Sequence, residues 1–408
     1  MERVSGFSRR TAWDAGESSY AAAVREARAA AGRKLWDLTV SNPTRCGFAY
    51  DAGLLEPLGD PLALVYDPDP RGLPSAREAV VEYYAGHDAD VWVDDLVLTT
   101  STSEAYSYLF RLLCDAGDEV LVPQPSYPLF DFLADLDDVR LRPYPLFYDH
   151  GWWIDFAELE RAVTPRTRAV MVVHPNNPTG HWTGARERSR LEEICARHGL
   201  ALVADEVFLD YPLVQEAAAG VSPGRSFACG EHPVLTFVLS GLSKICGLPQ
   251  MKAAWIAVLG PERERRGALA RLEIIADTFL SMNAPVQLAM PGWLAGRGAI
   301  QRQILDRARG NLATLRRTAA EYPGRLRMLE ADAGWGAVLA LAGCGGEADC
   351  AERLARERGV VVHPGWFYGM AERNRVVVSL IGPEEEFGEG IRRAIYDAPD
   401  EATGDELR

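Results

Sequence analysis

The chain has 408 residues, 48% of them hydrophobic and 25% charged, a globular composition long enough for roughly two to three domains and at least one large buried core. Its 43 Lys and Arg against 58 Asp and Glu give a net charge of −15. That field repels phosphates, so a nucleic-acid or anionic-membrane surface is disfavoured, and any bound phosphate must sit in a local pocket.

Residues 18 to 34 are rich in Ala, Arg and Glu and read as a helix. From about residue 72, short apolar runs alternate with amphipathic segments. The runs are DLVLTT ending at Thr100, DEVLVP at Pro123, VRLRPY at Tyr144, RAVMVVH at His174, ALVAD at Asp205, VLTFVLS at Ser240 and AAWIAVL at Leu259. Most are solid rather than alternating, the pattern of strands covered on both faces. Helical patterns lie between them, such as SEAYSYLFRLLCDAG, PLFDFLADL, FAELERAV and ERSRLEEICARHG. Strand and helix repeated in this way predict an α/β fold with a large, mostly parallel central sheet. After about residue 260 come two long helical segments, ERERRGALARLEIIADTFL and roughly Ile300 to Tyr322, then strand patterns in WGAVLAL, VVVHP and RVVVSL. We therefore expect a large α/β domain over 46–300 and a smaller α+β domain built from 1–45 and 301–408. The acidic tail DAPDEATGDELR reads as a solvated end.

The seven cysteines, Cys46, Cys114, Cys195, Cys229, Cys246, Cys344 and Cys350, are scattered and contain no CxxC pair. They predict neither a disulfide framework nor a zinc knuckle, and a reducing cytoplasm is the natural setting. No stretch of ~18 apolar residues runs without a charge, and the N-terminus lacks a signal-peptide core, so a soluble, unsecreted chain is expected.

In an open α/β sheet, ligands bind beyond the carboxyl ends of the strands. After LVLT come Thr100, Ser101, Thr102 and Ser103, leading into a helix, so hydroxyls and free backbone N–H groups converge on an anion site. After VMVVH comes PNNPTG with Asn177, and after ALVA comes Asp205, an acid that is costly to desolvate unless a cation or donor meets it. After VLTFVLS comes Gly241-Leu242-Ser243-Lys244, in a chain whose other lysines are only Lys34 and Lys252. Only an amine forms a Schiff base, since a guanidinium cannot be deprotonated.

A phosphate cradle, an amide, a carboxylate and an amine in this order resemble the pyridoxal-phosphate enzymes of the aspartate aminotransferase fold, the class I/II aminotransferases, from about Leu35 to Leu380. The resemblance implies fold type I and pyridoxal 5'-phosphate as cofactor. It makes Lys244 in SGLSK the Schiff-base lysine and proton shuttle, and Asp205 in ADEVF the partner that keeps the pyridinium nitrogen protonated. Asn177 matches the ring-hydroxyl ligand and Tyr127 in PSYPLF the stacking aromatic. Ser101 and Thr102, with Ser243, match the phosphate turn. Tyr66 in YDPDPRG resembles the tyrosine that reaches the neighbouring subunit's phosphate, implying a homodimer with shared sites. Arg375 in NRVVVSL resembles the clamp on the substrate α-carboxylate, and Asn42 in TVSNPT sits where the family's mobile N-terminal strand closes over substrate. Three positions depart from the pattern. Lys252 stands for an arginine, Phe208 for a tyrosine whose role Tyr211 or a water would take, and Gly241 for a serine.

The activity so implied is transfer of an α-amino group from an amino acid to a 2-oxo acid. Alternatives are an amino-acid cyclase, lyase or oxidase on the same fold, or a non-catalytic regulator. The motifs HExxH, GxxxxGK[ST] and GxGxxG are absent from the sequence, so metallopeptidase, P-loop and Rossmann readings lack their signatures. His174 and His363 read as structural. Trp335, Trp366, Phe367 and Tyr368 fit a substrate pocket or a core equally well.

Overall fold

The computed structural model describes residues 6–30, 32, 34–128, 130–214, 224–344 and 349–395. The strands in chain order are β1 Trp36–Asp37, β2 Leu96–Thr99, β3 Glu119–Gln124, β4 Arg140–Tyr148, β5 Trp152–Ile154, β6 Thr167–Val173 and β7 Ala201–Asp205. They continue with β8 Thr236–Gly241, β9 Ala254–Leu259, β10 Leu326–Met328, β11 Gly336–Leu341, β12 Val360–Val361, β13 His363–Pro364 and β14 Arg375–Ser379. Eight form one sheet in the order β2-β9-β8-β7-β6-β3-β4-β5. The pairs β8-β7-β6-β3-β4 are parallel, while β9 runs antiparallel to both neighbours and β5 antiparallel to β4. This matches the solid apolar runs: β2, β7, β8 and β9 are buried at every residue, because helices cover both faces.

One face of the sheet packs against the helix Pro74–Ala85 and the helix Ala284–Gly296, with Trp255, Val238 and Leu202 among the buried contacts. The other packs against Thr102–Leu113 and Glu262–Phe279 through Phe237, Leu239 and Ile256. The Ala284–Gly296 helix is not singled out by the sequence pattern, since Pro285, Pro291 and Gly292 read as breakers. The Asn283 side chain caps it by accepting from Val286 N at 3.0 Å, Pro285 falls in its first turn where no N–H is needed, and Trp293 and Met290 bury its apolar face.

A four-stranded antiparallel sheet, β10-β11-β14-β13, belongs to a second core. That core gathers Tyr20, Val24 and Leu38 from the N-terminal part, the inner face of the helix Gly298–Glu321, and Phe387 and Ile391 from the helix Glu384–Ala394. Alternation of period two splits the small sheet. Ala337, Leu339, Val376 and Val378 face this core, whereas Val338, Ala340 and Val377 face the large sheet's core. The cysteines correct one expectation. Five are free thiols, but Cys344 and Cys350 form a disulfide with Cα atoms 5.1 Å apart. One lies just past β11 and the other at the start of the helix Cys350–Arg353, and a separation of six residues does not reveal that these two ends meet. Among the described residues no helix is long and apolar enough to cross a membrane, and no cluster of His, Cys, Asp and Glu is arranged to hold a metal.

Candidate active site

Because β9 is antiparallel to β8, its first residues share a sheet edge with the carboxyl ends of β2, β3, β6, β7 and β8. Residues from all six strands' ends open onto one cavity of about 560 Å³, together with Thr39, Ser41 and Ser379 from the second core's side. Ser101, Thr102, Tyr127, Asn177, Asp205, Ser243, Lys244 and Lys252 all line it. Three expected residues do not. Tyr66 is 81% exposed and belongs to a different cavity with Asn283 and Ala284. Asn42 is exposed and spends its Oδ1 on Thr44 N and Oγ1. Arg375 lines a neighbouring cavity, while Val377 and Ser379, two and four residues further along the same face of β14, line this one.

Asp205 ends β7, a strand buried at every residue. Burial pushes its pKa up, opposed by a hydrogen bond from the Tyr106 hydroxyl to Oδ2, by one from Val207 N to Oδ1 at 3.1 Å, and by the charge of Lys244. The same burial pushes the Tyr106 phenol well above its ordinary value, so it stays protonated and donates. Tyr106 escaped the sequence reading. Its only signal is a hydroxyl one turn into the helix that Ser101 caps.

Lys244 follows β8 on the four-residue helix Leu242–Ile245. Burial lowers its pKa, and Asp205 opposes that shift. Its Nζ lies 5.1 Å from the Trp335 ring centre and 5.6 Å from that of Phe208, which pack edge to face on each other. The Tyr211 hydroxyl donates to the Lys244 backbone carbonyl at 2.6 Å. Tyr211 is buried and outside the cavity lining, so it anchors the lysine's backbone and does not replace the hydroxyl missing at Phe208. Gly241 is also explained. A Cβ there would lie 2.8 Å from Ala253 O and from Ala254 Cβ, so a serine is excluded by the close approach of β9.

At one end of the cavity, the N-terminus of the helix Thr102–Leu113 opens between Ser101 and Ser103, with Ser243 and the exposed Lys252 alongside. The Ser101 hydroxyl accepts from Glu104 N at 3.1 Å, which leaves Thr102 N and Ser103 N for a ligand. At the opposite side stand Ser379, Thr39 and Ser41. His363 also lines the cavity, its Nδ1 2.9 Å from the Tyr368 hydroxyl and its pKa lowered by burial. Trp335, Phe367 and Tyr368 line the cavity, while Trp366 does not. The donor set fits pyridoxal phosphate: a cationic, hydroxyl-rich helix terminus for the dianion, a buried acid for a ring cation and a desolvated amine.

A profile of the family described as "Aminotransferase class I and II" matches residues 65–393. The chain belongs to the class I and II aminotransferases. Members of this family depend on pyridoxal phosphate. The "Glutamate-pyruvate aminotransferase AlaA" of Escherichia coli (strain K12) is 32% identical over 276 residues, 67% of this chain and 66% of that protein. An "Alanine aminotransferase" of Mycobacterium tuberculosis (strain ATCC 25618 / H37Rv) is 31% identical over 284 residues, 69% of this chain and 65% of its own. The match thus spans just under two thirds of these relatives' length. Among solved structures, an alanine aminotransferase from Pyrococcus furiosus superposes with a TM-score of 0.83 at 21% identity, covering 95% of this chain and 98% of the other. That likeness shows the aminotransferase fold.

Proposed function

We propose that this aminotransferase moves the amino group of an amino acid to a 2-oxo acid. The observation that carries the reading is the burial of Lys244 and Asp205 in one cavity with opposite pKa shifts. When bound, pyridoxal phosphate supplies a carbonyl for an amine and a protonated ring that draws electron density from the substrate's α-carbon. Asp205, held by Tyr106 and Val207 N, keeps the proton on the ring nitrogen. Ser101, Thr102, Ser243 and Lys252 would hold the phosphate, and Asn177 and Tyr127 would hold the ring. The amine of Lys244, its proton affinity lowered by burial and its backbone fixed by Tyr211, removes the proton from the substrate's α-carbon and returns it as general acid. Aromatic rings beside it exclude water from that transfer.

The substrate carboxylate, on this reading, meets the hydroxyls of Thr39, Ser41 and Ser379 rather than Arg375, which the neighbouring cavity holds. The working unit is a homodimer, supported by the exposed apolar stretch Leu62, Leu64, Val65 and Tyr66, a surface of the kind that marks an interface. The test is the visible spectrum of the purified holoenzyme. An amino acid should bleach the cofactor band and a 2-oxo acid should restore it. Product formation with no restoration would favour the cyclase, lyase or oxidase alternative.

A further inference from the structure

A second cavity, of about 660 Å³, lies between the outer end of the large sheet and the small sheet. Its walls come from β4 and β5 on one side and from β10, β14 and residues 369–372 on the other. Strand register brings two arginines to it. Arg327 on β10 pairs with Ala340 on β11, and Ala340 pairs with Arg375 on β14. Directly opposed residues share a face of a sheet, so both guanidiniums project to the same side, flanking a methyl group. Two strand spacings put their Cα atoms roughly 10 Å apart, a gap that the two long side chains can close onto one oxyanion.

Like charges placed this way repel. Burial lowers the pKa of Arg375, Glu372 opposes the shift and Arg327 adds to it. Arg375 is 6% exposed, and Glu372, on an exposed stretch, lines the cavity beside it. A third donor completes the set. Trp152 lines the same cavity, is 8% exposed, and its indole N–H has no hydrogen-bond partner, a costly state for a desolvated donor. The remaining wall is flat and apolar, with Pro143, Pro145 and Tyr148. Arg327 stacks over the Tyr148 ring at 5.4 Å, and Trp152 meets that ring edge to face.

We propose that this cavity binds a small organic anion, a carboxylate carried on an aromatic body, at a site separate from Lys244. The guanidiniums take the carboxylate, the indole N–H takes a further acceptor, and the proline and aromatic wall takes the ring. The volume lies within the range of small-molecule sites, roughly 300–1,000 Å³. The partition between the two cavities is thin. The Gln124 side chain donates to Gly369 O, and Ser126 N donates to Tyr368 O at 3.0 Å, next to Tyr127 and Tyr368 of the Lys244 cavity. The carboxylate therefore belongs either to a separate effector or to the far end of an extended substrate.

The experiment is a calorimetric titration of the holoenzyme with indole-3-acetate, which has no amino group to react. Wild type is compared with Arg327→Ala, Arg327→Lys and Trp152→Phe, each checked for native circular dichroism. We expect one site per chain, affinity reduced at least tenfold by Arg327→Ala, less by Arg327→Lys, and severalfold by Trp152→Phe, which keeps the ring and removes only the N–H. In steady-state assays, inhibition or activation with unchanged KM for the amino donor identifies an effector, whereas competition that disappears in Arg327→Ala identifies a substrate extension. No binding up to about 10 mM, or binding and competition equal in wild type and Arg327→Ala, overturns the proposal. Neither result depends on the role of Lys244.

Discussion

Gly241→Ala probes the one place where the catalytic helix and the sheet are pressed together. The glycine's backbone is extended, with φ of 178°, so an alanine meets no conformational barrier, and any penalty is purely steric. Its Cβ would stand 2.8 Å from Ala253 O, 2.8 Å from Ala254 Cβ and 2.9 Å from Ala254 Cα. Ordinary carbon contacts lie at roughly 3.5–4.0 Å, so β9 must retreat from β8 by roughly 0.7–1.2 Å. None of the three obstructing atoms is the end of a flexible side chain. Overpacking of this kind costs about 1–3 kcal/mol. The retreat also stretches the bond from Leu242 N to Ala253 O, now 3.0 Å, adding about 1 kcal/mol. We expect a loss of about 2–4 kcal/mol, seen as a fall in the urea midpoint on the order of 1 M. Leu242 begins the helix that carries Ser243 and Lys244, and Lys252 precedes the displaced strand, so cofactor affinity should fall in the same variant. Wild-type stability and wild-type affinity together would refute the close-packing argument.

Lys244→Ala should lose all borohydride-trappable cofactor while its urea midpoint stays near wild type; trapped cofactor in the variant would sink the assignment. Tyr106→Phe removes a donor to a buried carboxylate, a bond of about 1.5–3 kcal/mol, and should weaken cofactor binding roughly tenfold to hundredfold. Asp205 is already raised by burial, so the loss should grow as the pH falls, because the variant's carboxylate takes up a proton more readily; a pH-independent loss would contradict this. Ser379→Ala should raise KM for the amino donor roughly threefold to tenfold, the value of one hydrogen bond, while Arg375→Ala leaves KM unchanged for a donor such as alanine that has only its α-carboxylate; the reverse pattern would return the α-carboxylate to Arg375. Glu206 is fully buried, accepting from the Ser226 hydroxyl and Phe227 N, and burial raises its pKa from 4.5 to about 7. Between those values the native state holds a proton that the unfolded chain has released, so stability falls as pH rises through that window, by up to about 3 kcal/mol. Glu206→Gln cannot ionise, and its urea midpoint should fall less than that of wild type between pH 5 and pH 8; parallel curves would falsify the linkage.

Much of the site is legible in the chain because its chemistry follows strand ends. LVLTTST, VVHPNN, ALVADE and VLSGLSK each join a solid apolar run to polar residues, and a parallel sheet carries such junctions to one edge whatever the loops between them do. Lysine scarcity among many arginines made Lys244 conspicuous, and buried strands made Asp205 costly enough to notice. Residues whose importance lies in contacts across the fold gave no such signal. Tyr106 looks like any helical aromatic until β7 delivers Asp205 to its hydroxyl. Tyr211 looks able to serve the cofactor until its hydroxyl is found on the Lys244 carbonyl.

Arg375 shows the limit most clearly. The pattern RVVVSL establishes a strand and, by its period of two, a common face for Arg375, Val377 and Ser379, but it does not say how far along the strand the cavity ends. That boundary is set by the Gln124 and Ser126 contacts with residues 368–369, which place Val377 and Ser379 with Lys244 and Arg375 with Arg327. Local sequence determined the elements and the chemistry at their ends, because periodicity and burial are properties of neighbouring residues. Which side chains share a cavity was decided by the packing of the two sheets, because that depends on distances between segments hundreds of residues apart.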